Sequence, residues 1–301
     1  MTWNPKSMFD NISTNLTSTG GTVMNQFSTV KDKVSAGVSQ GVSSVGGVIP
    51  TQIPFPKVPG QSGAGGGGDV TYERFGARHA PEVLRLLLSH FRVDEPTNAA
   101  VGLEDEDAIY AFLDWIANGV RDKVSFVGID ASNGKVIAAR INSAMLREKP
   151  TPPPQRYPPR MMKVANFINL LSKDVGRTLP GSTPGQPASR ILKLEIVIVD
   201  PSYRRRGIAN ALLQASLDVA LQERFEWIFS TATSSRTQAL FEKHGFKALR
   251  TINYADYQDP ETGERPFATN MQPEELCGKL MVRKPEPPPQ PQQQQQQPPA
   301  Q

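Results

Sequence analysis

Arg204-Arg205-Arg206-Gly207-Ile208-Ala209 is the run of residues in this chain with the plainest chemical use. It follows the apolar stretch Ile191–Val199 and opens a helical pattern that continues to about Glu223. A strand, a basic turn with a glycine and a helix start, in that order, make an anion site. The first backbone N–H groups of the helix have no partner within it, and the positive end of the helix dipole reinforces them. A pyrophosphate can sit there. Gly207 lets the backbone approach closely, because a Cβ would stand between the amides and the phosphate. Arg204, Arg205 and Arg206 supply charge for further phosphates. The rival reading is an ordinary strand–turn–helix with a solvated basic turn. Two other nucleotide motifs fail on spacing: there is no Gly-x-x-x-x-Gly-Lys-Ser/Thr, and the first two glycines of a dinucleotide fingerprint are missing.

Other reactive side chains are sparse. His79, His90 and His244 form no close pair in sequence. The single cysteine, Cys277, has no neighbouring His or cationic pair to lower its pKa. One cysteine excludes an internal disulfide framework and a Cys-rich zinc site, so no metal is expected.

The elements that must position the turn lie in the middle of 301 residues. Residues 1–68 are rich in Ser, Thr, Gly and Val and end in a glycine tract, which reads as a flexible linker. Residues 285–301 are almost wholly Pro and Gln. Both tails are expected to be disordered, leaving one α+β domain over residues 69–284. A strand at Val70–Phe75, helices at Ala80–Phe91 and Glu104–Ala117, and strands at Ser125–Asp130 and Lys135–Ser143 follow from periodicity and turn signals. Pro150–Pro159 is too proline-dense for a central strand or helix interior. A helix at Met161–Val175, the strand Ile191–Val199, a strand at Glu226–Ser230, a helix at Ser235–His244 and strands at Phe246–Tyr254 and Leu280–Arg283 complete the domain.

Val197-x-Val199-x-Pro201-x-x-Arg204-x-x-Gly207-x-Ala209 resembles the acyl-CoA signature of the GNAT N-acetyltransferase superfamily. Three further segments are similar to the insect-type arylalkylamine (dopamine) N-acetyltransferases. They are His90-Phe91-Arg92-Val93-Asp94-Glu95-Pro96-Thr97-Asn98, then Ala232-Thr233-Ser234-Ser235-Arg236-Thr237 with Phe241-Glu242-Lys243-His244-Gly245-Phe246, then Ala255-Asp256-Tyr257. The resemblance spans the central domain and neither tail. It implies a mixed sheet splayed after the Ile191–Val199 strand and flanked by helices. Acetyl-CoA is then the cosubstrate, held by Val197, Ile198, Val199, Arg204, Arg205, Arg206, Gly207, Ile208 and Ala209. A backbone N–H near Ile198 or Val199 would polarise the thioester carbonyl.

The acceptor implied by the resemblance is a small arylalkylamine of the dopamine, octopamine, tyramine or serotonin type. Such an amine has a pKa near that of lysine, about 10, and arrives protonated at neutral pH, so a base must take its proton. The resemblance puts that base on Glu95. Pro96 disfavours helical geometry at Glu95, setting the carboxylate just past a helix end. Glu195 is the competitor; alternation along its strand puts it on one face with Val197 and Val199. The two active-site serines of the family fall on Thr233 and Thr237, which keep the hydroxyl and add a methyl group, so the resemblance gives Thr237 the proton relay or the protonation of the leaving thiolate. Ser234 or Ser235 capping the following helix is the plainer use of that segment. Phe91, Phe112 and Trp115 suit either an aromatic pocket or the core, and Tyr254 and Tyr257 either packing or the cofactor arm. Rival functions are a polyamine or protein-lysine acetyltransferase, or an acyl-CoA-binding regulator that has lost turnover.

The formal net charge is +4, with no dense Lys/Arg tract, so no nucleic-acid partner is expected. Absence of a signal peptide pattern and of a long apolar run points to a cytoplasmic, reducing compartment. In residues 9–49 apolar side chains recur every eleven positions: Ile12, Val23, Val34 and Val45, then Leu16, Phe27, Val38 and Ile49. An eleven-residue repeat keeps both columns on one helical stripe. Gly and β-branched residues make a poor helix in water, and a weak contact with a lipid surface would offset that cost. The alternative is a plain tether with chance periodicity.

Overall fold

The computed structural model describes residues 70–146, 157–182 and 188–286. Both tails, the periodic segment 9–49 and most of the proline-dense stretch lie outside the described residues. Among the described residues seven strands form one sheet: β1 (Val70–Arg74), β2 (Phe126–Asp130), β3 (Val136–Leu146), β4 (Arg190–Val199), β5 (Trp227–Ala232), β6 (Lys247–Asn253) and β7 (Cys277–Arg283). Their order is β1-β2-β3-β4-β5-β7-β6, so the strand with the strongest apolar pattern, β4, lies at the centre. Only the β4–β5 pair is parallel. The main helices are α1 (Ala80–Leu86), α2 (Pro96–Ala100), α3 (Asp105–Asp122), α4 (Pro159–Leu171), α5 (Ile208–Gln222) and α6 (Ser235–Lys243).

The helices cover both faces, as a sheet with two apolar sides requires. On one face α1 and α3 pack Leu84, Phe112 and Ile116 against Ala139, Ile141, Ile196 and Ile198. On the other, α5 and α6 pack Leu212 and Phe241 against Ala138, Leu192 and Leu194. Strict alternation would put Leu192, Leu194, Ile196 and Ile198 on one side. A bulge at Glu195 breaks it: Asn142 opposes Leu194 while Ile141 opposes Ile196, leaving Glu195 without a partner. The side chains beyond it change faces. The expectation that Glu195 shares a face with Val197 and Val199 is therefore corrected. Val199 packs toward the α5 side, whereas Glu195 is held on the α3 side by Ser143 and Lys193, both at 2.7 Å.

A second irregularity opens the sheet. β4 and β5 pair only from Ile191 to Lys193 against Trp227 to Phe229. The Ser230 hydroxyl then donates to the Leu194 carbonyl at 2.8 Å, and beyond that point the strands part. The β5-facing backbone groups of the rest of β4 are left without a strand partner.

The helix expected at Ala80–Phe91 runs on through a π-helical turn, Leu87–Phe91, and a last turn, Arg92–Asp94. It stops at Glu95, whose ψ of 125° is extended. Pro96 causes the break, because its ring excludes helical geometry one residue earlier, and then starts α2.

Candidate active site

The turn at the open end of β4 is built as an anion cradle. Gly207 caps α5 in a left-handed conformation, φ 76°, which glycine adopts without steric cost. The first intrahelical bond is Ala211 N–H to the Gly207 carbonyl at 3.0 Å. The N–H groups of Ile208, Ala209 and Asn210 therefore have no helical acceptor. Val199, Gly207, Ile208, Ala209, Asn210 and Leu240 line a pocket over them.

The three arginines of the turn are used differently. Arg204 donates to the Val199 carbonyl at 3.2 Å and is also bonded to Asp94, so it ties the cradle to the end of the α1 segment. Arg206 lies over the Tyr203 ring, 4.8 Å from its centroid, and donates to the Ser202 carbonyl. Arg205 has φ 64° and no side-chain partner among the described residues. Tyr203 in turn bonds Asp130. Hydrogen bonds from Ser132 and Tyr203 hold the Asp130 carboxyl down to about 2, so the β2–β3 turn braces the cradle with an ionised group.

The Asp94–Arg204 pair is partly exposed, and such pairs are worth about 1 kcal/mol or less. Asp94→Asn should therefore lower kcat/KM for acetyl-CoA by no more than about fivefold. A hundredfold loss in steady-state assays would mean that the pair does more than brace the turn.

Glu95 is buried, 9 % exposed, at the break between the α1 segment and α2. Its Oε2 caps α2, accepting from the Asn98 N–H and the Thr97 hydroxyl, each at 2.7 Å. Its Oε1 is buried and accepts no hydrogen bond, although the Thr233 hydroxyl approaches closely enough to favour the carboxylate. Burial is the dominant influence and raises the carboxyl pKa; the Thr97, Thr233 and Asn98 donors oppose it. A carboxylate with one oxygen clamped and the other free is oriented to accept a proton.

Thr233 lies at the end of β5, and its carbonyl accepts from the Tyr254 hydroxyl at 2.5 Å. Burial, followed by the charge of Glu95, raises the Tyr254 pKa and keeps that phenol protonated. Glu95, Thr233 and Tyr254 therefore form one cluster. Tyr254 follows β6, and no sequence spacing relates it to Glu95. Thr237 stands apart from this cluster: its hydroxyl accepts from Ser234 at 2.9 Å, and Ser234 caps α6 through the Thr237 N–H. Glu275, from the approach to β7, bonds both the N–H and the hydroxyl of Ser235 and completes the helix start.

Phe91, Phe112 and Trp115 form a ring cluster with centroids 5.4–6.4 Å apart. Phe112 is core, whereas Phe91 and Trp115 are half-buried. Phe91 also anchors the Glu95 segment, because its carbonyl accepts from the Glu95 N–H at 3.0 Å.

A sheet splayed at β4–β5, with a helix-start cradle at the open end of β4, is the GNAT acetyltransferase fold, and residues 170–248 match the family model described as an acetyltransferase (GNAT) domain. Among solved structures the chain resembles insect arylalkylamine N-acetyltransferases. Arylalkylamine N-acetyltransferase 2 from Aedes aegypti aligns with 22% identity over 73% of this chain and 100% of its own, with a TM-score of 0.57. Putative arylalkylamine N-acetyltransferase 7 from the same mosquito aligns with 19% identity over 72% and 88%, with a TM-score of 0.62. A polyamine N-acetyltransferase from Drosophila melanogaster aligns with 16% identity over 72% and 100%, with a TM-score of 0.58.

Proposed function

We propose that the chain transfers the acetyl group of acetyl-CoA directly to the primary amine of a small arylalkylamine. The observation that carries this reading is the free, buried Oε1 of Glu95, a base oriented by its second oxygen. The residues at the other side fit acetyl-CoA: three unpaired helix-start N–H groups and Arg205 suit the pyrophosphate, and the unpaired edge of β4 suits the amides of its arm. Acetyl-CoA supplies an activated thioester. Glu95 takes the proton of the ammonium, so that the amine lone pair is free to attack. As the amine adds to the thioester carbon the carbon–sulfur bond breaks, and the Thr233 hydroxyl beside Glu95 passes the second amine proton to the leaving thiolate, giving the N-acetylamine and the free thiol.

An aromatic acceptor over a polyamine is favoured by Phe91 and Trp115, half-buried rings in contact with each other, the first of them four residues before Glu95. Weak lipid contact through residues 9–49 belongs to this proposal as a second, independent property of the chain. The test is thiol release from acetyl-CoA against a panel of tyramine, dopamine, octopamine, serotonin, agmatine, spermidine and a lysine peptide. Release with the aromatic amines at the highest kcat/KM is expected. Highest release with agmatine or spermidine would move the reading to polyamines, and binding of acetyl-CoA without release on any amine would make the chain a regulator.

A further inference from the structure

Arg140 is a buried cation with no neutralising partner among the described residues. It lies on β3, is 2 % exposed, and has neither a hydrogen-bond partner nor a carboxylate partner among the described residues. Its Nε and Nη2 are fully buried without acceptors. Burial alone pulls its pKa down to about 9. The guanidinium rests 5.3 Å from the centre of the Phe241 ring, which supports a cation but accepts no in-plane N–H. A guanidinium in this state is costly unless something else accepts its hydrogen bonds.

Its position puts it beside the open end of β4. Arg140 opposes Val197, and Ala138, two residues earlier, opposes Val199. Val199 and Leu240 line the phosphate cradle, and Phe241 follows Leu240 on α6. Arg140 starts from β3, on the far side of β4 from the splay, yet its guanidinium reaches a ring of α6. It therefore crosses the α5–α6 face of β4 one step inward from the cradle, where β4 and β5 have parted.

We infer that Arg140 is an acetyl-CoA-binding residue whose guanidinium donates hydrogen bonds to the amide carbonyls of the pantetheine arm. The inference rests on the acetyl-CoA reading above. A chain entering between β4 and β5 from the cradle passes this side chain, and its two secondary amides carry strong carbonyl acceptors. The pyrophosphate, held one step outward, supplies negative charge to the same low-dielectric region. The cation is thus uncompensated in the free protein and satisfied when the cosubstrate is seated.

Arg140→Met keeps the stem against Phe241 and removes the charge. Calorimetric titration with CoA and with 3′-phosphoadenosine 5′-diphosphate, which keeps the pyrophosphate and lacks the arm, separates the roles. The variant should bind CoA about tenfold more weakly and the armless nucleotide within about twofold of the parent, the loss expected for hydrogen bonds from a charged donor. Its melting temperature without ligand should be equal to or above that of the parent, because a buried unpaired charge is gone. Unchanged CoA affinity, or equal weakening of both ligands, overturns the inference while leaving acetyl-CoA binding by the parent intact. Failure of the parent to bind either ligand overturns both. If the Met variant does not fold, Arg140→Lys, which keeps the charge and loses the planar fork, should still weaken CoA selectively. Equal affinities for that variant and the parent overturn the inference.

Discussion

Glu95→Gln should lower turnover at pH 7 by about a hundredfold or more, the usual contribution of a positioned general base. The loss should shrink as pH approaches the amine's own pKa of about 10, because the free amine then needs no base. Burial raises the Glu95 pKa above its ordinary 4.5, so the acid limb of kcat/KM should lie above the normal glutamate range. The same shift has a consequence for stability. A carboxyl whose pKa is raised by folding stabilises the fold when protonated; that contribution is full below the unfolded value and is lost as pH rises through the folded one. Ionisation of Glu95 is therefore a burden on the fold. Glu95→Gln, which can still cap α2, should melt no lower than the parent at pH 7 while being nearly inactive. Calorimetric melting and initial rates on one preparation check both halves. A full pH–rate profile unchanged by Glu95→Gln but abolished by Glu195→Gln would transfer the base to the bulged strand position.

Gly207→Val should weaken acetyl-CoA binding by about a hundredfold, equivalent to losing roughly 3 kcal/mol of charge-assisted N–H contacts to the pyrophosphate. A β-branched side chain at φ 76° also strains the turn, costing about 1–2 kcal/mol of stability. That cost leaves most of the domain's stability in place, so a cooperative melt with lost affinity is the expected pair of results. Titration calorimetry and thermal melting distinguish this from unfolding. Parent-like affinity in a folded variant would remove the cradle from the cosubstrate site.

Several parts of the site are local in sequence. The β4–turn–α5 cradle is read from a strand pattern, one glycine and the helix that follows, because unpaired helix-start amides are a property of any helix. The exposure of Glu95 to a helix break is equally local, since the ring of Pro96 acts on the residue before it. Capping by Ser234 is also a short-range hydrogen bond, set by a serine three residues before the N–H it accepts from.

Other features depend on partners that no local pattern names. The bulge at Glu195 arises from the β3–β4 register, and one unpaired residue reverses every side chain beyond it, so alternation assigned Glu195 to the wrong face. β7 begins at Cys277, earlier than its apolar run suggests, and inserts between β5 and β6 because pairing on both sides decides its length. Tyr254 meets Thr233 across 21 positions of sequence, and Arg140 meets Phe241 across the splayed sheet. Amino-acid order by itself determined the α+β class, the cradle and the helix break at Glu95, all of which follow from forces acting within a few residues, whereas a basic role for Glu95 is implied only by the likeness of its segment to a family motif. Tertiary structure alone decided which hydroxyl lies beside Glu95, which face Glu195 occupies and which cation lies buried without a partner among the described residues, because strand register and burial are set by residues far apart in the chain.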